Sequence, residues 1–237
     1  MLQANQLQTP RDYFRARYAA FLQDQAVMFL VGHEIAHISR GHVNYLFETR
    51  NVRQSAEVAY GIISDAELRL ERQSLEQDAD RRSIQSRIDS LRGTYSSVGY
   101  KGMPWILSDN GAELMIRDWS VSLSILFKLC GDVRFLGSDL SKTYYPPLPI
   151  RHRYAKMFAS WGIAEHWNAN LGAAGSTAIE QGHYEAEKVF ATILGESISM
   201  EGYREARSQS SVDHMMRLQY YWNSVLVDKV RPYSYEF

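Results

Sequence analysis

The stretch from Phe29 to His42 reads Phe-Leu-Val-Gly-His-Glu-Ile-Ala-His-Ile-Ser-Arg-Gly-His and contains His-Glu-x-x-His. On a helix, two histidines four residues apart share a face and lie about one turn from each other. On such a face the imidazoles of His33 and His37 can converge on one metal ion, and Glu34 sits beside that ion without binding it. A carboxylate so placed can take a proton from water and pass it to a leaving amine. The flanks read as an amphipathic helix with Val31, Ile35 and Ile38 on its buried side. Gly41 is the expected helix end.

The rest of the chain keeps the same period. Thr9-Pro10 reads as a helix start, and Val43 to Arg50 as a short mixed segment. Ser64-Asp65-Ala66-Glu67 reads as a capping box opening a charged helix to about Leu91, with Gly93 after it. Ser108 or Asp109 caps a helix ending near Gly131, and the rigid turn Pro146-Pro147-Leu148-Pro149 precedes another over about 150–161. Two further helices are expected, about 178–194 and 212–227. Clean two-residue alternation is scarce, so the class is mainly α with few or no strands.

Composition narrows the function. The 237 residues are 45% hydrophobic and 22% charged, which excludes disorder as the main state. A formal net charge of −1 gives no positive field for nucleic acid. Cys130 is the only cysteine, so no disulfide scaffold exists. The start of the chain carries no secretory signal, and neither apolar stretch, 25–32 or 119–127, approaches the ~18 residues of a membrane span. The expectation is a cytoplasmic protein with no direct membrane span. A core over residues 1–160 carries the motif, and 161–237 form a C-terminal helical extension packed on it.

Two histidine ligands need a third protein ligand, which leaves a fourth position for water. Glu76 is preferred, because a second helix crossing the first can deliver its carboxylate. Asp80, one turn on, can accept the N–H of a ligating histidine. Asp78, Asp80 and His42 remain alternatives as the ligand; His42 falls five residues after His37 where the metzincin spacing needs six. The competing reading of Glu76 and Asp80 is a solvated charged face shared with Arg72 and Arg81.

The pairing of His33-Glu34-Ile35-Ala36-His37-Ile38-Ser39-Arg40-Gly41-His42 with Leu75-Glu76-Gln77-Asp78-Ala79-Asp80 resembles the gluzincin metallopeptidases of the HtpX and CAAX-prenyl-endopeptidase kind. It looks still more like the Lit-type phage-exclusion peptidases, which share a short gap between the motifs and lack membrane spans. The resemblance covers roughly residues 21–160. It implies a single helical zinc peptidase domain, with zinc held by His33, His37 and Glu76, Glu34 as general base and then acid, and a protein or peptide as substrate. It extends to a role in phage defence or a stress response. These families often carry His-Pro and then Arg six residues after that His. Arg151 matches the Arg, whereas Tyr145 stands where the His would be. Tyr145 or Arg151 is therefore a candidate to stabilise the oxyanion.

The remaining features carry two readings each. Residues 94–105 form a lid or a plain connection. Arg40, Arg50 and Arg53 bind acidic substrate features or are scattered surface charges. His166, His183 and His214 read as surface or capped histidines, and His152 as part of a solvated basic face. Trp161, Trp167, Tyr220, Tyr221, Trp222 and Tyr233 offer a surface for a protein partner through the C-terminal helices, or a core.

Overall fold

The structure is a computed structural model and describes residues 12–50, 66–97, 108–130, 140, 143 and 145–236. Thr9-Pro10, Ser64-Asp65, Arg53 and most of the 94–105 segment lie outside the described residues. Among the described residues the fold is mainly α, with no strand.

Helix α1 spans Tyr13–Ser39 and is capped by Asp12, whose carboxylate accepts the Arg15 N–H at 2.9 Å. It stops at Gly41, whose φ of +80° suits glycine. A Cβ there would also stand 2.5 Å from the Tyr233 carbonyl carbon. The expected mixed segment after it is a helix, α2 (His42–Arg50). Helix α3 (Ala66–Ser96) runs straight through Gly93, past its expected end. Then come α4 (Gly111–Cys130), α5 (Leu148–Gly162), α6 (Ala169–Leu194), α7 (Glu201–Glu205), α8 (Gln209–Tyr221) and α9 (Val227–Val230). Single π-helical turns, Ile163–Trp167 and Trp222–Leu226, join α5 to α6 and α8 to α9.

The main core lies where α1, α3, α4, α5 and α6 meet, around Phe21, Phe29, Ile88, Trp119, Leu123 and Ile179. Two smaller cores bind the C-terminal helices to the rest: Tyr45, Leu75, Trp222 and Leu226 form one, and Ile150, Tyr154, Met215 and Leu218 the other. Residues beyond 161 therefore share all three cores with those before it. Of the aromatic residues there, Trp222 is core, whereas Trp161 and Tyr220 are exposed.

Two expectations about burial are overturned. The buried side of α1 is Phe21, Gln25, Phe29, His33 and Ala36. Val31, Ile35 and Ile38 are 43%, 55% and 59% exposed. The histidine that must face the interior lies across the helix from them, so they are turned outward. His152 is buried, not solvated: its Nε2 lies 2.7 Å from Ser124 Oγ, and its ring packs 4.1 Å from that of His183.

That histidine pair makes stability depend on pH. Burial first, then the charge of Lys128, lowers His183 to about 4; burial, His183 and Lys156 hold His152 well below its usual value. Glu187, 2.8 Å from Lys128, and Tyr203, stacked on His183, complete the surroundings. Their folded pKa values are depressed, so as pH falls below about 6.5 the unfolded chain takes up protons that the folded chain refuses. Stability then drops until the folded groups titrate, by about 3 kcal/mol for His183 alone. The urea midpoint should fall steadily from pH 7 to pH 4.5, and His183→Gln should flatten part of that slope. A flat profile in both proteins would disprove the account.

Candidate metal centre

Helices α1 and α3 cross at Gly32. A Cβ on Gly32 would stand 2.8 Å from Ser83 Oγ, and that hydroxyl donates to the Phe29 carbonyl at 2.7 Å. The lack of a side chain at Gly32 lets α3 come close enough to face His33 and His37 with its own residues.

Between Glu71 and Asp80 nearly every polar residue of α3 is buried, so the solvated-face reading fails. Each needs a partner, because an unpaired polar group in the interior costs several kcal/mol. Glu71 accepts from Tyr45 and Arg50. Gln73 donates to the Leu140 and Thr143 carbonyls and meets His214 at 2.7 Å. Ser74 donates to the Leu70 carbonyl. α3 is thus a polar helix enclosed by its neighbours, with Glu71 turned to α2 and Glu76, Asp78 and Asp80 turned to the end of α1.

There the donor atoms converge. His33 Nε2 and His37 Nε2 are 3.1 Å apart, and the Glu76 carboxylate oxygens lie 3.3 Å from the first and 3.4 Å from the second. A tetrahedral zinc ion with bonds of about 2.0–2.1 Å spaces its donors about 3.3–3.4 Å apart. The donor set and its spacing therefore fit zinc. His33, His37 and Glu76 are the group among the described residues whose ligand atoms gather this closely. Glu34 follows His33 on α1 and is exposed on the flank of the triad.

Each histidine is held from behind. Asp80 Oδ1 lies 2.9 Å from His33 Nδ1, and Arg151 grips Asp80 with two bonds of 2.7 and 2.8 Å. His42 Nδ1 lies 3.1 Å from His37 Nδ1, and His42 Nε2 is 3.3 Å from Asp78. Asp78 is in turn bonded by Arg40 and Arg81 at 2.8 Å each. These contacts fix the rings so that both Nε2 atoms point at Glu76. His42 and Asp78 stand behind His37, on the side away from its Nε2. The structure brings Asp80, Arg151 and Arg40 to the centre as supports; Arg50 is engaged with Glu71. Tyr145 is partly buried in the turn that leads to α5.

Burial and charge act against each other here. Burial alone would lower His33, but hydrogen bonds to Asp80 and Glu76 outweigh it and raise it to about 9. Burial would raise Glu76, but the charge of His37 and the bonds to both histidines hold it well below the usual carboxylate range. Burial would likewise raise Asp80, and Arg151 holds it down. Burial lowers His42 to about 4, against the pull of Asp78, so it stays neutral near pH 7 and can accept the His37 N–H.

The role of His42 behind His37 was not foreseen, although its place after Gly41 on a turn back toward α1 is the signal for it. Nor was the seating of 234–235, where the Tyr235 N–H and Ser234 hydroxyl both donate to the Ser39 carbonyl at the end of α1. No helix among the described residues is long and apolar enough to cross a membrane. No protein-family profile, curated protein or solved structure matches this chain.

Proposed function

We propose that the chain is a zinc-dependent endopeptidase of gluzincin type, with His33, His37 and Glu76 as zinc ligands and Glu34 as the proton carrier. The observation that carries the reading is the convergence of two imidazole nitrogens, 3.1 Å apart, on one carboxylate whose two oxygens lie 3.3 and 3.4 Å from them, with Glu34 exposed one residue along α1. When bound, zinc lowers the pKa of its water toward ~7 and polarises a carbonyl. Glu34 takes a proton from the attacking water as the C–O bond forms, and delivers it to the amide nitrogen as the C–N bond breaks. Asp80 and His42 hold the ligand rings; Arg151 acts through Asp80. Tyr145 is left as the candidate donor to the oxyanion. A role in phage defence or stress, in the cytoplasm, belongs to the same proposal and rests on the sequence resemblance.

The rival reading is a helical interaction module stabilised by a closed metal site. A closed site needs four protein ligands. His42 and Asp78, the two groups that would close it, are behind His37 and engaged with each other. That geometry favours the open, hydrolytic reading.

The test is metal content by mass spectrometry together with hydrolysis of a labelled unfolded protein. Wild type and Glu34→Gln should each carry one zinc, and Glu76→Ala should lose it. Hydrolysis should fall by about 10²–10⁴ in Glu34→Gln. A wild type that takes up no metal from added zinc, or a Glu34→Gln variant as active as wild type, would overturn the proposal.

A further inference from the structure

A second polar cluster lies outside the metal centre, where α4, α5 and α6 meet the start of α7. It lines a cavity of about 40 Å³. That space holds about three water molecules, or one molecule of a few non-hydrogen atoms. Ser124, His152, His183 and Glu187 supply polar groups, and Phe127, Leu148 and Pro149 supply apolar wall. Tyr203 stacks on His183 and is fixed there by its bond to Glu180. Ser199 also lines the cavity and is exposed, which marks the way in.

The distances place the protons of the cluster. The Ser124 hydroxyl has one proton and three close neighbours: the Ser120 carbonyl at 2.7 Å, His152 Nε2 at 2.7 Å and His183 Nδ1 at 3.3 Å. Two oxygens at 2.7 Å with no proton between them repel, so the hydroxyl donates to the carbonyl. Both imidazoles must then donate to Ser124 Oγ. Burial keeps both rings neutral near pH 7, so each has one N–H and one bare nitrogen. The bare ones are His152 Nδ1 and His183 Nε2. His152 Nδ1 is buried and has no hydrogen-bond partner among the described residues. His183 Nε2 lies 3.9 Å from Glu187 Oε1, a lone pair toward a carboxylate with no proton between them. The ammonium at hand, Lys128, is engaged with the other Glu187 oxygen at 2.8 Å. The cluster thus has acceptors to fill and no donor left to fill them.

We infer that this cavity binds a small uncharged molecule carrying N–H or O–H donors on a short carbon frame, of the class of primary amides, ureas and diols. Charge decides against the other classes. An anion would meet two lone pairs and a carboxylate. A cation would meet Lys128, with Glu187 already neutralised. Water satisfies the nitrogens but gains nothing from Phe127, Leu148 and Pro149, whereas a carbon frame is buried against them. The inference does not depend on the peptidase reading, since none of His33, His37 and Glu76 lines the cavity.

The test uses four probes of one shape: acetamide, acetate, acetamidinium and acetone. Each is titrated into the full chain labelled with ¹⁵N at histidine, and the ring nitrogens are read by NMR. His152 should carry its proton on Nε2 and His183 on Nδ1. Acetamide should move both bare-nitrogen resonances and saturate in the millimolar range, as suits a ligand this small. The other three should bind at least about 10-fold more weakly, the loss expected when a buried acceptor goes without its donor. Ser199→Phe closes the mouth from an exposed position. It should weaken acetamide by at least about 10-fold while leaving both tautomers and thermal stability as in wild type. The opposite tautomer in either ring overturns the inference. So do resonances that acetamide leaves in place, which would mean water alone, acetamide no tighter than acetone, or a Ser199→Phe variant that binds as wild type does.

Discussion

Arg151→Ala should destabilise the protein by about 3–5 kcal/mol, the cost of removing one member of a buried ion pair. Asp80 is almost wholly buried, and Arg151 makes both of the bonds that answer its carboxylate from α5. The same guanidinium lies 5.3 Å over the Phe127 ring, so packing is lost too. Arg151→Lys keeps the charge but not the two-pronged grip, and should recover only part of the loss. Zinc affinity should fall about 10- to 100-fold, because Asp80 is then free to turn away from His33. The double variant Arg151→Met, Asp80→Asn removes the buried charges together. It should regain most of the stability but not the affinity, which separates the pair's part in folding from its part in positioning. Urea titration and a zinc competition assay read the two quantities. Wild-type stability in Arg151→Ala would refute the assignment.

Gly32→Val should be nearly as damaging, and for a geometric reason. A glycine inside a helix costs about 1 kcal/mol relative to alanine, so alanine would help if there were room. Here even a Cβ comes within 2.8 Å of Ser83 Oγ. A branched side chain must push α3 off α1 at the level where Glu76 and Asp80 face His33. Overpacking of this kind costs about 1–3 kcal/mol. The effect on zinc should be larger than the effect on folding, because a shift of about 1 Å spoils a donor spacing that zinc tolerates only within about 0.2 Å. Gly32→Ala with Ser83→Ala restores the space and should bind zinc close to wild type, though it gives up the Ser83 bond to Phe29.

The helical class and the convergence of His33, His37 and Glu76 were legible for different reasons. Period alone suffices for the class. Glu76 and Asp80 are legible because a His-Glu-x-x-His helix demands a third donor and a carboxylate behind a ring. The orientation of α1 was misread by treating apolar as inward. Val31, Ile35 and Ile38 lie across the helix from His33, and the burial of His33 turns them outward. The α3 sequence, rich in Arg, Glu, Gln and Asp, has the composition of a solvated helix. Its burial depends on partners such as Arg50, His214 and Leu140 that are far away in the chain, and no local pattern announces them. His42 escaped because its part depends on the tight turn at Gly41, which brings it back behind His37.

The contacts that hold the centre span very different lengths of chain. His33 and His37 are 4 positions apart, Arg40 and Asp78 are 38, Arg151 and Asp80 are 71, and Ser234 and Ser39 are 195. Local contacts form early in folding, and distant ones wait for the chain to be brought together. An ion that meets the unfolded chain finds two histidines on a helix that is not yet stable by itself. Glu76 arrives only when α3 docks, and the supports behind the rings arrive with α5 and the C-terminal residues. On the metal reading proposed above, affinity is therefore a late product of folding: an ion would lock a finished structure and not template an unfinished one.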